Sequence, residues 1–375
     1  MMHSKLFILV NNDTFFLSHR KDVAVAAQKA GYDVTVVTKN NGKHEVIKHL
    51  GLRVLELKMN PTGMNPIQDI KTVWFLYRLF CKEKPDIVHL VGPKINLWGS
   101  LAARMAGIKN VVSAVSGLGV VFGNNGIGRI IPYAFRFSNN VKNLRVIFQN
   151  EEDKATYLKY KIVKEDQCRY IKGSGIDLND FAYTPEPKEG RIKIMFTARM
   201  IKEKGIEVIL DAARMLYDEY KDKLLFELCG GLTGRKRSNY VSADVLNSFG
   251  DPNYLKWLGM RDDVHELLND SHIFVFPSYY NEGLPKSCIE ANAVGRPIIT
   301  TNSVGCKDTV IDGYNGFLIP VRDAKALAEK LRILIDDKEL RQQMGRNARK
   351  YAEENFSIED VIKRHLDIYA EFKSL

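Results

Sequence analysis

Two glutamates, Glu282 and Glu290, lie eight positions apart at the start of a helical pattern. The segment 282–290 follows an apolar strand pattern over 272–277. Pro285 suits the first helical position, because a proline there gives up no hydrogen bond. A helix that starts here directs unpaired N–H groups beyond the strand end, where they can bind phosphate. The pattern predicts an anion-binding rim with one carboxylate in the loop and another about one and a half turns into the helix.

Two basic residues, Arg199 and Lys204, follow another strand pattern over 192–197. In doubly wound parallel sheets, ligands bind beyond the carboxyl ends of the strands. An arginine can grip a diphosphate with two parallel hydrogen bonds, and a lysine adds a compact charge. Held there, both would stabilise negative charge that grows on a leaving phosphate. Taken singly, an arginine and a lysine are more often solvated surface charges.

The spacing of the two glutamates resembles the E-x7-E signature of the retaining glycosyltransferases of family 4. Three further segments resemble that family in the same order along the chain: 173–177, 197–205, and 304–320 followed by Asp323. E-x7-E alone would be weak, whereas four ordered signatures make the resemblance specific. The resemblance implies an α/β architecture, the GT-B fold, with two Rossmann-like, doubly wound parallel-sheet domains and a cleft between them.

The resemblance also implies roles for individual residues. It gives Glu282, Arg199 and Lys204 catalytic roles, with Glu282 near the donor sugar and Glu290 on the ribose hydroxyls. The residues it implies for donor binding are Glu290, Gly283, Leu284, Pro285, Lys286, Met260 and Arg261. For Lys286, a solvated lysine is about as good an explanation. Retention at C1 could use a nucleophilic carboxylate or a reaction on one face of the sugar, and the sequence leaves both open.

In the first half, segments 89–99 and 116–119 resemble a subgroup of the family that extends sugars on undecaprenyl diphosphate. The acceptor-binding residues implied are Lys94, Arg20, Ser116, Gly117 and Gly119. His19 and His89 lie near the same rim, but a structural histidine is the more common case. Phe122 occupies the third glycine position of a dinucleotide fingerprint, which argues against an NAD-binding domain.

The positive charge is concentrated in the first half. Residues 1–187 hold 26 Lys and Arg against 16 Asp and Glu, whereas residues 188–375 hold 29 of each class. Such a bias favours an anionic partner, although a plain solubility charge explains it as well. The segment 127–137 mixes bulky apolar residues with Arg129 and Arg136, which is typical of a helix on a membrane surface. The segment 72–81 is similar, but a core-facing helix explains it equally well.

The 375 residues suit two domains, and no apolar run approaches the roughly 20 residues of a membrane span. Five scattered cysteines form neither a metal pattern nor a disulfide framework, which favours a reducing cytoplasm. No aspartate pair follows an apolar strand, so we predict a metal-independent protein without a cofactor. The charge is accompanied by no nucleic-acid-binding motif.

Strand and helix patterns alternate along the whole chain, as in parallel sheets covered on both faces. The predicted strands are 5–10, 33–38, 52–57, 86–90, 110–115, 145–149, 168–172, 192–197, 224–229, 254–257, 273–276, 297–300 and 317–319. The predicted helices include 17–30, 66–82, 95–106, 150–159, 205–219, 262–269, 286–295, 323–336, 338–352 and 358–373. The predicted domains are 1–183 for the acceptor and 184–356 for the nucleotide sugar, with 357–375 as a helix crossing back to the first domain.

Together these observations predict a retaining glycosyltransferase that moves a hexose or N-acetylhexosamine from a UDP-sugar to a polyprenyl-diphosphate-linked saccharide in surface-glycan synthesis. We predict that it is cytoplasmic and peripheral at the cytoplasmic face of the inner membrane. Its partners would be the UDP-sugar, the lipid-linked acceptor and the membrane surface, and not nucleic acid. Two alternatives remain open: a UDP-N-acetylglucosamine 2-epimerase of the same fold, and a non-catalytic sugar-binding protein.

Overall fold

The computed structural model describes residues 3–59, 65–118, 126–232 and 240–373. Contacts divide the chain into two compact units. The first comprises Met1–Gly175 and Ile358–Leu375, and the second comprises Ile176–Ser357. Each unit is built around one parallel sheet.

The first sheet has seven strands in the order β3-β2-β1-β4-β5-β6-β7. Its strands are β1 (Lys5–Val10), β2 (Asp33–Thr38), β3 (Arg53–Glu56), β4 (Ile87–Val91), β5 (Asn110–Ala114), β6 (Asn143–Phe148) and β7 (Cys168–Tyr170). Side chains alternate between its two faces: Phe7 and Leu9 join one apolar cluster, while Leu6 and Ile8 join another. Both faces are therefore buried, which explains why the central strands are apolar throughout.

Eight helices of the described residues cover this sheet. They are α1 (Asp13–His19), α2 (Lys21–Lys29), α3 (His44–His49), α4 (Pro66–Glu83), α5 (Pro93–Met105), α6 (Ile131–Ser138), α7 (Glu151–Lys159) and α14 (Ile358–Glu371). Asparagine side chains cap three of them, since Asn12, Asn65 and Asn150 accept from backbone N–H groups of the first turn. The C-terminal helix α14 packs on α2, and Glu371 near its end pairs with Arg145 and Arg169.

The second sheet has six strands in the order β10-β9-β8-β11-β12-β13. Its strands are β8 (Ile192–Thr197), β9 (Leu224–Cys229), β10 (Leu255–Gly259), β11 (Ile273–Phe276), β12 (Ile298–Thr301) and β13 (Gly316–Ile319). Its helices are α8 (Ile206–Tyr220), α9 (Ala243–Asn247), α10 (Val264–Asn269), α11 (Lys286–Ala293), α12 (Ala324–Asp336) and α13 (Lys338–Asn355). In both sheets the strand order reverses beside the first strand, so both are doubly wound, as the sequence predicts.

Five strands occupy the predicted residues exactly, including β1, β8 and β11. The predicted helix 17–30 is wrong in one respect, because the chain leaves helical geometry at Arg20 and forms α1 and α2 instead. The short helices α3 and α9 were not predicted. Helices of five or six residues are held by tertiary contacts and leave little periodic pattern in the sequence.

The division between the units lies after Gly175, whereas the sequence predicts a boundary after residue 183. Residues 176–183 pack on the second unit: the N–H of Ile176 donates to the carbonyl of Phe356, and Phe181 contacts its core. The Pro-rich stretch that suggested the boundary is also inside the second unit, where Glu186 pairs with buried Arg341. A stretch of proline and polar residues indicates a loop, but it does not show which of the two units that loop packs against. Among the described residues, no helix is long and apolar enough to cross a membrane.

Candidate active site

The strand order of the second sheet reverses between β8 and β11, which are hydrogen-bonded neighbours. Ligands of doubly wound sheets bind at such a point, beyond the carboxyl ends of the two strands. The loop after β8 carries Arg199 and Lys204, and the loop after β11 carries Glu282. Topology thus assigns the three residues with predicted catalytic roles to the two loops that flank one switch point.

The two loops touch at Gly205, the residue that precedes α8. Its φ is +82°, and a Cβ there would lie 2.1 Å from the carbonyl oxygen of Pro277. Only glycine accepts both this conformation and this approach. Gly205 therefore holds the β8 loop against the β11 loop and brings Lys204 close to Glu282.

Lys204 and Glu282 form an ion pair across the switch point, between Nζ and Oε1. Their side chains are only 10% and 12% exposed. The Lys204 ammonium also lies over the rings of Phe276 and Tyr280, 5.2 and 5.5 Å from their centroids. A cation and an anion so deeply buried depend on each other, because removing either partner leaves an uncompensated charge.

Arg199 is exposed at the same rim. Its charge acts to lower the pKa of the Tyr280 hydroxyl, although burial outweighs it and the pKa of Tyr280 is raised. The guanidinium is thus close to the aromatic ring that packs on Lys204. An exposed arginine beside a buried lysine gives this end of the sheet two positive groups that a phosphate ligand can reach.

Helix α11 begins at Lys286, and Pro285 is its N-cap residue rather than the first helical residue as predicted. Pro285 has an extended ψ of 117°, so the helical conformation starts one residue later. Glu290 lies in the second turn, and burial raises the pKa of its carboxyl to about 7. Lys286, whose Nζ is 3.9 Å from Glu290 Oε1, opposes that rise. The Glu290 carboxyl is therefore about half ionised near neutral pH, and a hydrogen-bond donor there would favour its ionised form.

Buried amides hold α11 in place from behind. Asn315 Nδ2 donates to Asn292 Oδ1 at 2.8 Å, and Asn292 Nδ2 donates to the carbonyl oxygens of Cys288 and Thr309. Gly305 approaches the E-G-L-P turn so closely that a Cβ would lie 2.2 Å from the Gly283 carbonyl oxygen. The segment 304–320 thus supports the turn that carries Glu282, Gly283 and Leu284.

The loop after β10 carries the two residues predicted to contact the nucleobase. Met260 is 79% exposed, and its Cε would be 3.0 Å from a Cβ at Gly231, so the loops after β9 and β10 are adjacent. Arg261 forms a bidentate ion pair with Asp263, in which Nε and Nη2 donate to the two carboxylate oxygens at 2.7 and 2.5 Å. This pair fixes Arg261, and Met260 presents an apolar surface at the rim.

In the first unit the strand order reverses between β1 and β4, and Lys94 follows β4 at the start of α5. Lys94 Nζ pairs with Asp69 Oδ1 at 2.6 Å, and its side chain is 17% exposed. Ser116 and Gly117 follow the next strand, β5, at the same edge. Gly117 has a φ of +91°, a conformation that glycine adopts readily. Gly119 lies outside the described residues.

Arg20 is 3% exposed and lies at the junction of α1 and α2, where Nη1 donates to the carbonyl of His19. Burial lowers its pKa to about 10. His89 is fully buried, its Nδ1 is 2.7 Å from the Tyr369 hydroxyl, and burial lowers its pKa well below the usual value. These are the surroundings of a histidine with a structural role. Contact between Arg20 and an acceptor stays a prediction, and it would require an approach to a nearly enclosed guanidinium.

Two residues of the site were missed in the sequence. Ser278 and Tyr280 lie in the loop between β11 and Glu282. This position at the carboxyl end of a strand was the feature of the sequence that could have pointed to them. Tyr280 packs on Lys204, and the Ser278 hydroxyl lies 3.1 Å from Glu282 Oε1. Among the described residues, no group of three or more His, Cys, Asp or Glu side chains could hold a metal ion.

Comparison with known proteins gives matches along both units. The family model described as glycosyl transferases group 1 matches residues 182–351, and the one described as glycosyl transferase 4-like matches residues 5–150. The N,N'-diacetylbacillosaminyl-diphospho-undecaprenol α-1,3-N-acetylgalactosaminyltransferase of Campylobacter jejuni is 28% identical over 94% of this chain and 97% of its own. The UDP-Gal:α-D-GlcNAc-diphosphoundecaprenol α-1,3-galactosyltransferase of Escherichia coli is 27% identical over 90% and 89%. The structure of Anabaena HepE in complex with UDP-glucose superposes with a TM-score of 0.79 at 17% identity, covering all of both chains.

Two doubly wound parallel-sheet units and the similarity to the HepE structure show that this protein has the GT-B fold. The chain belongs to the family 4 glycosyltransferases, as the resemblance of its motifs implied. The resemblance to the subgroup that contains the Campylobacter enzyme is likewise confirmed.

Proposed function

We propose that this enzyme transfers a hexose or N-acetylhexosamine, with retention at C1 and without a metal ion, from a UDP-sugar to a polyprenyl-diphosphate-linked saccharide. The reaction would belong to the assembly of a surface glycan at the cytoplasmic face of the inner membrane. The observation that carries the proposal is the charged group at the β8/β11 switch point, with Arg199 exposed beside the buried Lys204–Glu282 pair. The names of the C. jejuni and E. coli relatives support the lipid acceptor, and the latter also supports the UDP-sugar.

The residues of the second unit suit the donor chemistry. When the bond from C1 to the β-phosphate oxygen breaks, negative charge grows on that oxygen. Arg199 and Lys204 would stabilise this charge, and they would do so without a metal ion. Glu290 would accept hydrogen bonds from the ribose hydroxyls, and Met260 would pack on the base. Glu282 would contact the sugar at the mouth of the site, close to the reacting carbon.

Retention follows if the acceptor hydroxyl attacks the face of the sugar from which the diphosphate leaves. The leaving phosphate oxygen then takes the proton of the attacking hydroxyl. The other route forms a covalent sugar–carboxylate intermediate, and Glu282 is the carboxylate that lies at the mouth.

The first unit carries the features of a membrane-facing surface. Six large apolar side chains on or next to two helices are between 55% and 70% exposed: Ile67, Ile70, Trp74, Ile130, Tyr133 and Phe137. Helices α4 and α6, which carry or adjoin them, both pack on α5. Arg129, Arg136 and Lys142 are exposed beside the α6 group. Apolar side chains flanked by basic ones suit the interface of a membrane that contains anionic lipid.

The affinity for UDP is expected to rise as the pH increases from 6 to 8. Because ribose hydroxyls would donate to Glu290, binding favours the ionised carboxylate, whose pKa is about 7 before binding. Below that pKa the carboxyl must lose a proton when UDP binds, so the affinity should be about tenfold lower at pH 6 than at pH 8. Calorimetric titration of the wild type and Glu290→Gln would measure this. The ionisation of the UDP phosphate is common to both proteins, so parallel profiles would contradict the prediction.

Thermal unfolding with a panel of UDP- and GDP-sugars is the test of the proposed donor. We expect one or more UDP-sugars to raise the unfolding temperature of the wild type by several degrees, because a ligand that binds only the folded state stabilises it. Arg199→Ala should lose most of this shift. Arg214→Ala is the matched control, since Arg214 is exposed on α8 and pairs with Asp211 away from the rim. Stabilisation by GDP-sugars alone would overturn the assignment of UDP.

Incubation of the preferred UDP-sugar with and without a polyprenyl-diphosphate-linked saccharide then tests the reaction. The proposal requires a longer saccharide that forms only when the acceptor is present. Formation of an epimerised sugar without any acceptor would support an epimerase instead. Donor binding with neither product would support a sugar-binding protein without catalytic activity.

A further inference from the structure

We infer that Ser278 is a positioning residue, which holds the Glu282 carboxylate in place when Lys204 turns to the donor phosphate. The inference rests on the proposed function, because it concerns the donor complex. Ser278 is fully buried, and its Oγ is 3.1 Å from Glu282 Oε1. It has no place among the residues that the family resemblance implies.

The neighbouring backbone limits the directions in which the Ser278 hydroxyl can donate. The N–H of Tyr280 donates to Ser278 Oγ at 3.2 Å, so the hydroxyl proton must point elsewhere. Two acceptors lie 3.1 Å away: Glu282 Oε1 and the carbonyl oxygen of Glu203. The Glu203 carbonyl already accepts from the N–H of Tyr279 at 2.9 Å. The carboxylate is the stronger acceptor because it is charged, and the proton therefore goes to Glu282.

The frame around Ser278 does not depend on a ligand. Its carbonyl oxygen accepts from the hydroxyls of Thr301 and Ser303, at the end of the neighbouring strand β12. These bonds hold the peptide of Ser278 against the sheet. All of these bonds are made within the protein, and none of them involves a ligand.

The partner of Lys204 has to change during the reaction. In this structure the Lys204 ammonium is paired with Glu282. A donor β-phosphate would attract the same ammonium and loosen its hold on the carboxylate. The Glu282 carboxylate would then have to be held near the sugar by other hydrogen-bond donors. The Ser278 hydroxyl can do so, since it needs neither the lysine nor the ligand.

The test is a double-mutant cycle with Ser278→Ala and Glu282→Gln, which measures kcat for sugar transfer and the Kd for UDP. We expect Ser278→Ala to lower kcat about 10- to 100-fold, as for a hydrogen bond to a charged group, and to change the Kd for UDP less than about threefold. In the Glu282→Gln protein the same replacement should lower kcat by less than about threefold, because Ser278 acts through that carboxylate.

Ser271→Ala is the matched control, since it removes a buried hydroxyl that precedes β11 and donates to the Leu268 carbonyl and not to Glu282. If the alanine protein does not fold, Ser278→Cys takes its place, because it keeps the size of the side chain but has a weaker donor. We expect it also to lower kcat. Equal losses of kcat in the wild-type and Glu282→Gln backgrounds, or an equal loss in Ser271→Ala, would overturn the inference. If Glu282→Gln itself retains full transfer activity, the proposed function of the site fails instead.

Discussion

Replacing Lys204 with methionine is expected to lower kcat/KM for sugar transfer by about 100- to 1,000-fold, or about 3–4 kcal/mol of transition-state stabilisation. Lys204 is the positive group that the fold buries at the switch point, against the rings of Phe276 and Tyr280. Its charge would act where the diphosphate accumulates negative charge. Methionine keeps an unbranched apolar stem of similar length, so the packing between the two rings is retained while the charge is lost.

Lys202→Met provides the matched control for this experiment. Lys202 lies on the same turn, Lys202–Lys204, but is 43% exposed and pairs with Glu207 at 3.2 Å. It should keep nearly all activity, because a solvated charge contributes little to a buried site. The thermal unfolding of Lys204→Met, compared with that of Lys204→Met/Glu282→Gln, measures how far the lost ion pair destabilises the fold, so that this effect is separated from the loss of catalysis. A Lys204→Met enzyme that keeps more than about a third of the wild-type rate would contradict the role of Lys204.

Replacing Arg129, Arg136 and Lys142 together with alanine is expected to weaken binding to anionic vesicles by about 3 kcal/mol at low salt, roughly 100-fold in the partition coefficient. Each basic residue near an anionic surface contributes about 1 kcal/mol, and added salt screens this attraction. Sedimentation with vesicles of phosphatidylglycerol and phosphatidylcholine, over a range of salt concentrations, measures the effect. The exposed Tyr133 and Phe137 should retain weak binding that depends little on salt.

The same number of charges can be removed from the other face of the first sheet. Lys29, Lys43 and Lys48 are exposed on or beside α2 and α3, which pack on the apolar cluster opposite to that of α4, α5 and α6. Their replacement with alanine should leave vesicle binding almost unchanged. If both triple variants lose affinity equally, the attraction comes from net charge and not from the α6 surface. If the wild type does not bind anionic vesicles at low salt, the membrane proposal is wrong.

The alternation of strands and helices was predictable because both periodicities are local properties of the chain. β1, β8 and β11 are where their apolar runs predict them, since buried parallel strands are apolar on both faces. The break at Arg20 was not predictable from periodicity, because the apolar pattern continues through it. The short helices α3 and α9 and the division after Gly175 also depend on distant contacts.

The sequence by itself determined the order and identity of the charged residues at the proposed donor site: Arg199, Lys204, Glu282 and Glu290 all follow strand patterns within short, recognisable segments. Only the tertiary structure decided that Lys204 and Glu282, 78 positions apart, form an ion pair and that Ser278 holds the carboxylate of that pair. It also decided that Arg20 is enclosed and that Lys94 is paired with Asp69. The physical reason is that local pattern fixes each strand and the loop that follows it. Which loops meet depends on the order of the strands in the sheet, and that order is set by packing across the whole unit.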